Sequence, residues 1–369
     1  MEKSLDFAVC EEYTVQGNWT KIWIFILLIV VILITLCGCD SESENDQPTS
    51  VETPPTIISP SKTLSALPAT AEILFTSNQD TGTHRWGIYS MDAQGDHITR
   101  ITNSSENHFI LGIDRSRRYI AATRGTEEKK RLWLLDLMTG KEIPLTDAEN
   151  HAEGRTFSAD GEWIVFWMIP AGETHSDIYK IRRDGTGLTN LTNTPQALEF
   201  DPAWSNGGDD IAFSYNDGDP NRFVLKAMDT NGKDVRTIYD PEDSVATSIF
   251  PAGAYDPAWS PDDEWILVEK PVKFTDDGEN GTAGVWRILK VRADGSEAVD
   301  LTGAGEFAEC ALYLPSFSPD GNSIVFSSRC GPEDPSQTYL NINTMDSNGG
   351  SVQKLTDTPL WEQFAVWIR

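Results

Sequence analysis

From Ala71 onward, apolar and polar residues alternate in short runs broken by Gly, Pro, Asp and Asn clusters, with no helical period of useful length. This pattern predicts β-strands joined by tight turns. One unit recurs, reading Tyr255-Asp-Pro-Ala-Trp-Ser-Pro-Asp-Asp-Glu-Trp-Ile-Leu-Val268 in its clearest form. Further copies are Phe200-Asp-Pro-Ala-Trp-Ser-Asn-Gly-Gly-Asp-Asp-Ile-Ala-Phe213, Leu314-Pro-Ser-Phe-Ser-Pro-Asp-Gly-Asn-Ser-Ile-Val-Phe326 and Arg155-Thr-Phe-Ser-Ala-Asp-Gly-Glu-Trp-Ile-Val-Phe166. In each, an aromatic ends one strand, a Ser/Pro-Asp-Gly turn reverses the chain, and an apolar strand leaves. A second half follows: an apolar pair, a Gly turn and a Leu-Thr close, as in Ile178-Tyr-Lys-Ile-Arg-Arg-Asp-Gly185 running to Leu191-Thr192.

Four strands per unit, repeated every roughly 44–58 residues, describe a blade of a β-propeller. Counting the strand-ending residues Ile113, Phe157, Trp204, Trp259, Phe317 and Trp367 gives six blades, the copy at Ile113 being degenerate. The first blade has Ile73-Leu-Phe-Thr-Ser77 but no aromatic strand before it, while Gln363–Ile368 is such a strand with nothing after it. The C-terminal strand is therefore expected to complete the first blade and close the ring, leaving no open edge. The fold class is all-β, a six-bladed β-propeller of four-stranded blades.

These motifs resemble the TolB-like propeller family, whose repeat carries Pro-x-Trp-Ser-Pro-Asp-Gly, Ile-x-Phe, Ile-Tyr-x-x-Asp-x-Asp-Gly and Leu-Thr. The resemblance covers about Ala71 to Arg369 and implies the fold more firmly than any activity. Blade two departs most, with Ile113-Asp-Arg-Ser-Arg-Arg118 at the turn. In that family the best-known role is as a periplasmic component of an envelope-spanning complex, in a member with an additional N-terminal α/β domain.

The segment before the repeats changes the expected location. Ile22 to Leu36 is apolar without a break, about 15 residues, which suits a signal-peptide core better than a full span. It ends in Leu36-Cys37-Gly38-Cys39, which resembles the lipobox of bacterial lipoproteins, with Cys39 the residue to be lipidated. The alternative is an uncleaved N-terminal anchor helix. Three regions are expected: 1–39 as leader or anchor, 40–69 as a disordered Ser/Thr/Pro-rich tether, and 70–369 as the propeller. Either leader puts the propeller outside the cytoplasm, tied to the outer face of the cell membrane.

Acidic residues number 57 against 29 basic, a net charge of −28. That field disfavours nucleic acid as a partner. No Gly-x-Ser-x-Gly elbow, His-Glu-x-x-His or phosphate-binding Gly loop occurs, so no catalytic residue and no cofactor is assigned. His84, His97, His108, His151 and His175 are scattered, mostly in predicted turns, and are read as surface residues. Asn216-Asp-Gly-Asp-Pro-Asn221 and Asp276-Asp-Gly-Glu-Asn-Gly281 offer oxygens that could hold calcium, but solvated hairpin tips explain them equally, and no metal site is assigned. Cys310 and Cys330 flank one hairpin; a turn at Pro319–Asn322 places Cys330 beside position 311, and a disulfide is expected.

What remains is the mouth of the ring, where residues preceding each strand-ending aromatic converge. These are Phe109, Arg155, Phe200, Asp201, Tyr255, Asp256, Tyr313, Gln363 and Phe364. Aromatic and acidic groups on one face could grip a peptide or a sugar. Alternatively, Asp201 and Asp256, each before Pro, cap strand starts. The function expected is a non-catalytic, monomeric module binding a protein or a cell-envelope glycan. A polysaccharide lyase or hydrolase with Arg155 at the mouth, or a structural scaffold, are the alternatives.

Overall fold

The computed structural model describes residues 64–80, 85–103, 106–125, 129–219, 222–241, 252–275, 283–330 and 339–368. The leader, Cys39, most of the tether, His84 and the 276–281 turn lie outside them. Among the described residues the strands form six antiparallel sheets arranged as the blades of a β-propeller. The inner strands, in ring order, are Glu362–Trp367, Phe109–Ile113, His151–Phe157, Leu198–Trp204, Tyr255–Trp259 and Ala311–Phe317. Blades 1 to 6 are numbered on these. Leu64, expected within the tether, is instead 2% exposed and packs with Ile101 and Ile110 between blades 1 and 2.

The repeated residues have local duties that explain their recurrence. In the turn after each inner strand, the Ser hydroxyl accepts the backbone N–H of the residue that opens the next strand. Ser158, Ser205, Ser260 and Ser318 take those of Trp163, Asp210, Trp265 and Ser323 at 2.9–3.0 Å. Blade 2 uses Asp114 instead, whose Oδ1 accepts the Tyr119 N–H at 2.7 Å, so its turn keeps the geometry with different chemistry. The Thr of the Leu-Thr or Ile-Thr close accepts a backbone N–H from within the third strand. Thr102, Thr146, Thr192, Thr302 and Thr356 do this for Ile88, Leu132, Ile178, Ile288 and Ile342 at 2.9–3.1 Å.

The core is not central. It lies between neighbouring sheets, where the second strands place Phe75, Phe166, Phe213 and Phe326 at no more than 1% exposure. Ring closure follows the expected route. Glu362–Trp367 pairs antiparallel with Ile73–Asp80, matching Ile73 to Trp367 and Leu74 to Val366, and Ile368 N–H donates to Glu72 O at 2.7 Å. A chain ending at Leu360 loses this strand and the Trp367 packing. Trp367 is half-buried, so its loss alone costs less than the about 3–5 kcal/mol of a fully buried aromatic. The ladder bonds and the buried Ala365 and Ile368 go with it, and the denaturant midpoint should fall clearly. An unchanged midpoint would show that closure does not hold the ring.

Cys310 and Cys330 are joined, with Cα atoms 4.6 Å apart. The register differs by one residue from that expected. A bulge between Tyr313 and Ser316 shifts the pairing from Phe317–Ile324 to Ala311–Arg329, so Cys330 falls opposite Cys310 itself. Thiol titration of denatured, unreduced protein should find neither cysteine reactive. Cys310→Ser should destabilise by roughly 3 kcal/mol, the chain-entropy value for a loop of about 20 residues. Two reactive thiols would exclude the bond.

Candidate binding site at the ring mouth

All six inner strands carry an irregularity at the same level, one extra residue against the neighbouring strand. Such bulges re-aim side chains and occur beside functional sites. Here they put Asp201, Asp256, Leu314 and Phe364 at φ of 51°, 54°, 58° and 56°. Asp tolerates the left-handed region; Leu and Phe are held there against about 1–3 kcal/mol of strain. Asp201 and Asp256 therefore do not cap strand starts. Each sits inside its strand at the bulge, because the inner strand begins before the Asp-Pro pair.

Above the bulges runs a chain of touching rings. Trp167 meets Phe200 at 4.9 Å, Phe200 meets Phe223 at 5.8 Å and Phe223 meets Tyr255 at 5.2 Å, centroid to centroid. Tyr255 then meets Trp286 at 5.7 Å, and Trp286 meets Tyr313 at 5.6 Å. On the far side Trp86, Phe109 and Phe364 form a second group at 5.5 and 6.1 Å. The structure thus brings together Phe200, Tyr255 and Tyr313 as expected, but interleaves them with Trp167, Phe223 and Trp286 from outer strands. Phe223 and Trp286 share with Trp86 the position two residues before Leu225, Ile288 and Ile88, a recurrence along the third strands that could have found them; Trp167 has no such signal.

Glu269 was also missed. By register it stands where blades 1, 2, 4 and 6 carry Thr76, Thr123, Ser214 and Ser327. It is 4% exposed, and its Oε2 accepts the bulge N–H of Leu314 in the next blade at 3.1 Å. Burial, then the Asp201, Glu269 and Asp256 carboxylates, raise the Tyr255 phenol well above its ordinary value. Burial pushes Tyr313 up to about 12. The mouth is therefore aromatic and negative on blades 4 to 6.

Arg155, expected at the mouth, stands at the bulge of its strand. Counting back from the strand-ending aromatic, it falls level with Pro202 and Pro257, while Gly154 is level with Asp201 and Asp256. Its side chain is outside the described residues. Glu153 takes the level of Phe200; burial raises its carboxyl, but Lys130 at 3.1 Å and His151 at 2.9 Å outweigh that and hold it at about 2.

Two histidines correct the surface reading. His108 is 0% exposed, with Nε2 3.6 Å from Glu142, and His151 is 8% exposed and stacked on Trp167 at 5.2 Å. Neither sits at an exposed turn tip: His108 directly precedes an inner strand and His151 opens one. In the 216–221 turn, Asn216 Nδ2 donates to Arg222 O at 2.8 Å and its Oδ1 accepts Gly218 N–H at 2.8 Å, so the side chain closes its own hairpin. Among the described residues, no group of three His, Cys, Asp or Glu side chains is placed to hold a metal.

Below the bulges the channel encloses a cavity of about 110 Å³ walled by all six inner strands. Of the residues expected at the mouth, Phe364 alone lines it.

No protein-family model matches the chain. An uncharacterized protein of Agrobacterium fabrum is 30% identical over 144 residues, 37% of this chain and 46% of that protein. An uncharacterized peptidase of Bacillus subtilis is 22% identical over 216 residues, 49% of this chain and 32% of its own length. The chain thus spans less than half the length of these curated relatives. Among solved structures, TolB from Acinetobacter baumannii superimposes with a TM-score of 0.60 at 15% identity, over 81% of this chain and 66% of that one. The fold is that of the TolB propeller. An oligogalacturonate lyase from Vibrio parahaemolyticus superimposes at 0.50 with 15% identity, over 79% and 76%. Propellers of this shape serve different tasks, so function has to be argued from the site.

One carboxyl at the mouth should be visible in pH titration. Glu199, beside Phe200, is 1% exposed, and burial raises it to about 7 with Asp177 adding repulsion, against hydrogen bonds from Thr192 and Thr194. A raised folded value means the folded state binds more protons between the ordinary 4.5 and about 7, so stability falls across that window as pH rises. Glu199→Gln should remove this slope, gaining up to about 3 kcal/mol over wild type by pH 8 and little at pH 4. Melting curves at both pH values decide it; equal curves for the two proteins at pH 8 would refute the assignment.

Proposed function

We propose that this propeller is an extracytoplasmic binding module whose mouth takes a basic or hydroxyl-rich segment of a protein or cell-envelope partner. The observation that carries this reading is the ring chain from Trp167 to Tyr313 with Asp201, Asp256 and Glu269 gathered around Tyr255. Tyr255, Tyr313, Asp201 and Asp256 are partly exposed and can meet a ligand, with the buried Trp167, Phe200, Phe223 and Trp286 holding them in place. Aromatic faces supply contact area at low entropy cost, and carboxylates select cationic or hydroxyl-bearing groups. The leader supports tethering, with Cys39 as the lipidated residue and the Ser/Thr/Pro-rich segment as spacer. A monomeric protein so placed meets partners in the envelope rather than nucleic acid, in keeping with a charge of −28.

The double variant Asp201→Asn and Asp256→Asn tests the reading. Asn accepts the left-handed backbone as well as Asp does, so melting should hardly change. Capture of envelope partners from a membrane extract by the full chain should drop about tenfold or more, the scale for losing charged contacts. Undiminished capture at full stability would move the site elsewhere. Turnover of a polysaccharide panel, lost in the same variant, would favour the lyase or hydrolase reading instead.

A further inference from the structure

The turn end of the channel has a chemistry unlike the mouth. Its wall includes Phe157, Trp204, Trp259, Leu314 and Trp367, around the cavity of about 110 Å³. An apolar cavity of about 150 Å³ can hold benzene, so this one is on the scale of a single aromatic ring. Trp204 and Trp259 donate their indole N–H groups to Gly208 O and Ala203 O at 3.1 and 3.0 Å. Trp367 Nε1 and Asn206 Oδ1, by contrast, are buried without a hydrogen-bond partner, and Asn206 as a whole is 9% exposed.

Two turn residues set the polarity of this end. The position after the turn Ser or Asp is Arg115, Ala159, Asn206, Pro261 and Pro319 in blades 2 to 6. The two polar occupants meet: Arg115 Nη2 reaches from blade 2 to blade 4 and donates to Asn206 O at 2.7 Å. Asn206 is fixed from the other side, with Nδ2 donating to Ser260 O at 2.6 Å. Asp263 accepts the Asn206 and Gly207 amides, both at 2.6 Å. Arg118, Arg124, Arg183, Arg222, Arg236 and Arg292 pair with carboxylates, while Arg117, Arg131 and Arg287 donate to backbone carbonyls away from the cavity. Arg115 pairs with none among the described residues, in a chain of net charge −28. A guanidinium has five donors in a planar fork that matches a carboxylate, and Arg115 directs one to Asn206 O.

We propose that the turn end of the channel binds a compact organic carboxylate with an aromatic body. The ring sits among Trp204, Trp259 and Trp367, and the carboxylate faces the Arg115 guanidinium. This site is separate from the mouth and does not depend on what the mouth binds. A net charge of −28 disfavours anions elsewhere. A guanidinium without a carboxylate partner, beside a cavity walled in part by Trp204, Trp259 and Trp367, therefore selects a ligand that carries both features.

Phenylacetate and its neutral isostere phenylacetamide, titrated by calorimetry into the full chain in detergent, test the proposal. Phenylacetate should bind saturably and about tenfold or more tighter than the amide, the scale of one charge-assisted contact. Arg115→Met should lose that preference with an unchanged melting temperature, and Arg115→Lys should retain part of it. If Arg115→Met does not fold, the wild-type comparison of acid with amide decides alone. No saturable binding, equal affinity for acid and amide, or an undiminished preference in Arg115→Met would each overturn the assignment. The preference should survive in the Asp201→Asn, Asp256→Asn variant; its loss there would place the ligand at the mouth and also overturn it.

Discussion

Contact between backbone and backbone at the blade seams sets the geometry on which everything else depends. The Gly of a third-to-fourth-strand turn lies against the carbonyl of the preceding blade's Leu-Thr close: Gly95 on Leu355, Gly232 on Leu191, Gly295 on Ile238 and Gly349 on Leu301. A Cβ at any of these would run into that oxygen, and each Gly also has φ between 77° and 86°. Only glycine satisfies both demands. Because these turns touch this closely, the angle between neighbouring sheets is fixed at four of the six seams. Blades 2 and 3 lack the contact, since Gly140 and Gly185 have nothing within 4 Å.

A ring of fixed size crowds six inner strands around one axis. Each responds with an extra residue at the same level, and those bulges divide the channel into two chambers. Above them the side chains are aromatic and acidic; below them they are aromatic, with an arginine and an asparagine. The strain held at Leu314 and Phe364 is sustained by neighbours, as where Glu269 receives the Leu314 N–H. One bulge also decides a covalent link, because without its one-residue shift Cys310 would not face Cys330.

Much of the fold was legible along the chain. Alternation, the Ser-x-Asp-Gly turns and the Leu-Thr closes are short-range signals, each tied to a hydrogen bond within one or two strands. Their repetition gave the blade count, and the unpaired end strands gave the closure. The degenerate turn of blade 2 was harder, because Asp114 does the work of Ser with a different side chain.

The sequence by itself determined the strands, the six blades, the closing strand and the aromatic and acidic character of Phe200, Asp201, Tyr255, Asp256 and Tyr313, since each follows from local pattern. Only the tertiary structure decided register and company. The bulges exist because inner strands crowd around the axis, so a count of residues along one hairpin misplaces Cys330 by one position. Glu269, Trp167, Phe223 and Trp286 reach the mouth through pairing with strands and blades distant in the chain. The contact of Arg115 with Asn206 joins residues 91 apart in sequence, and nothing local to either predicts it. Those are long-range consequences of packing six sheets in a ring, and no window of sequence contains them.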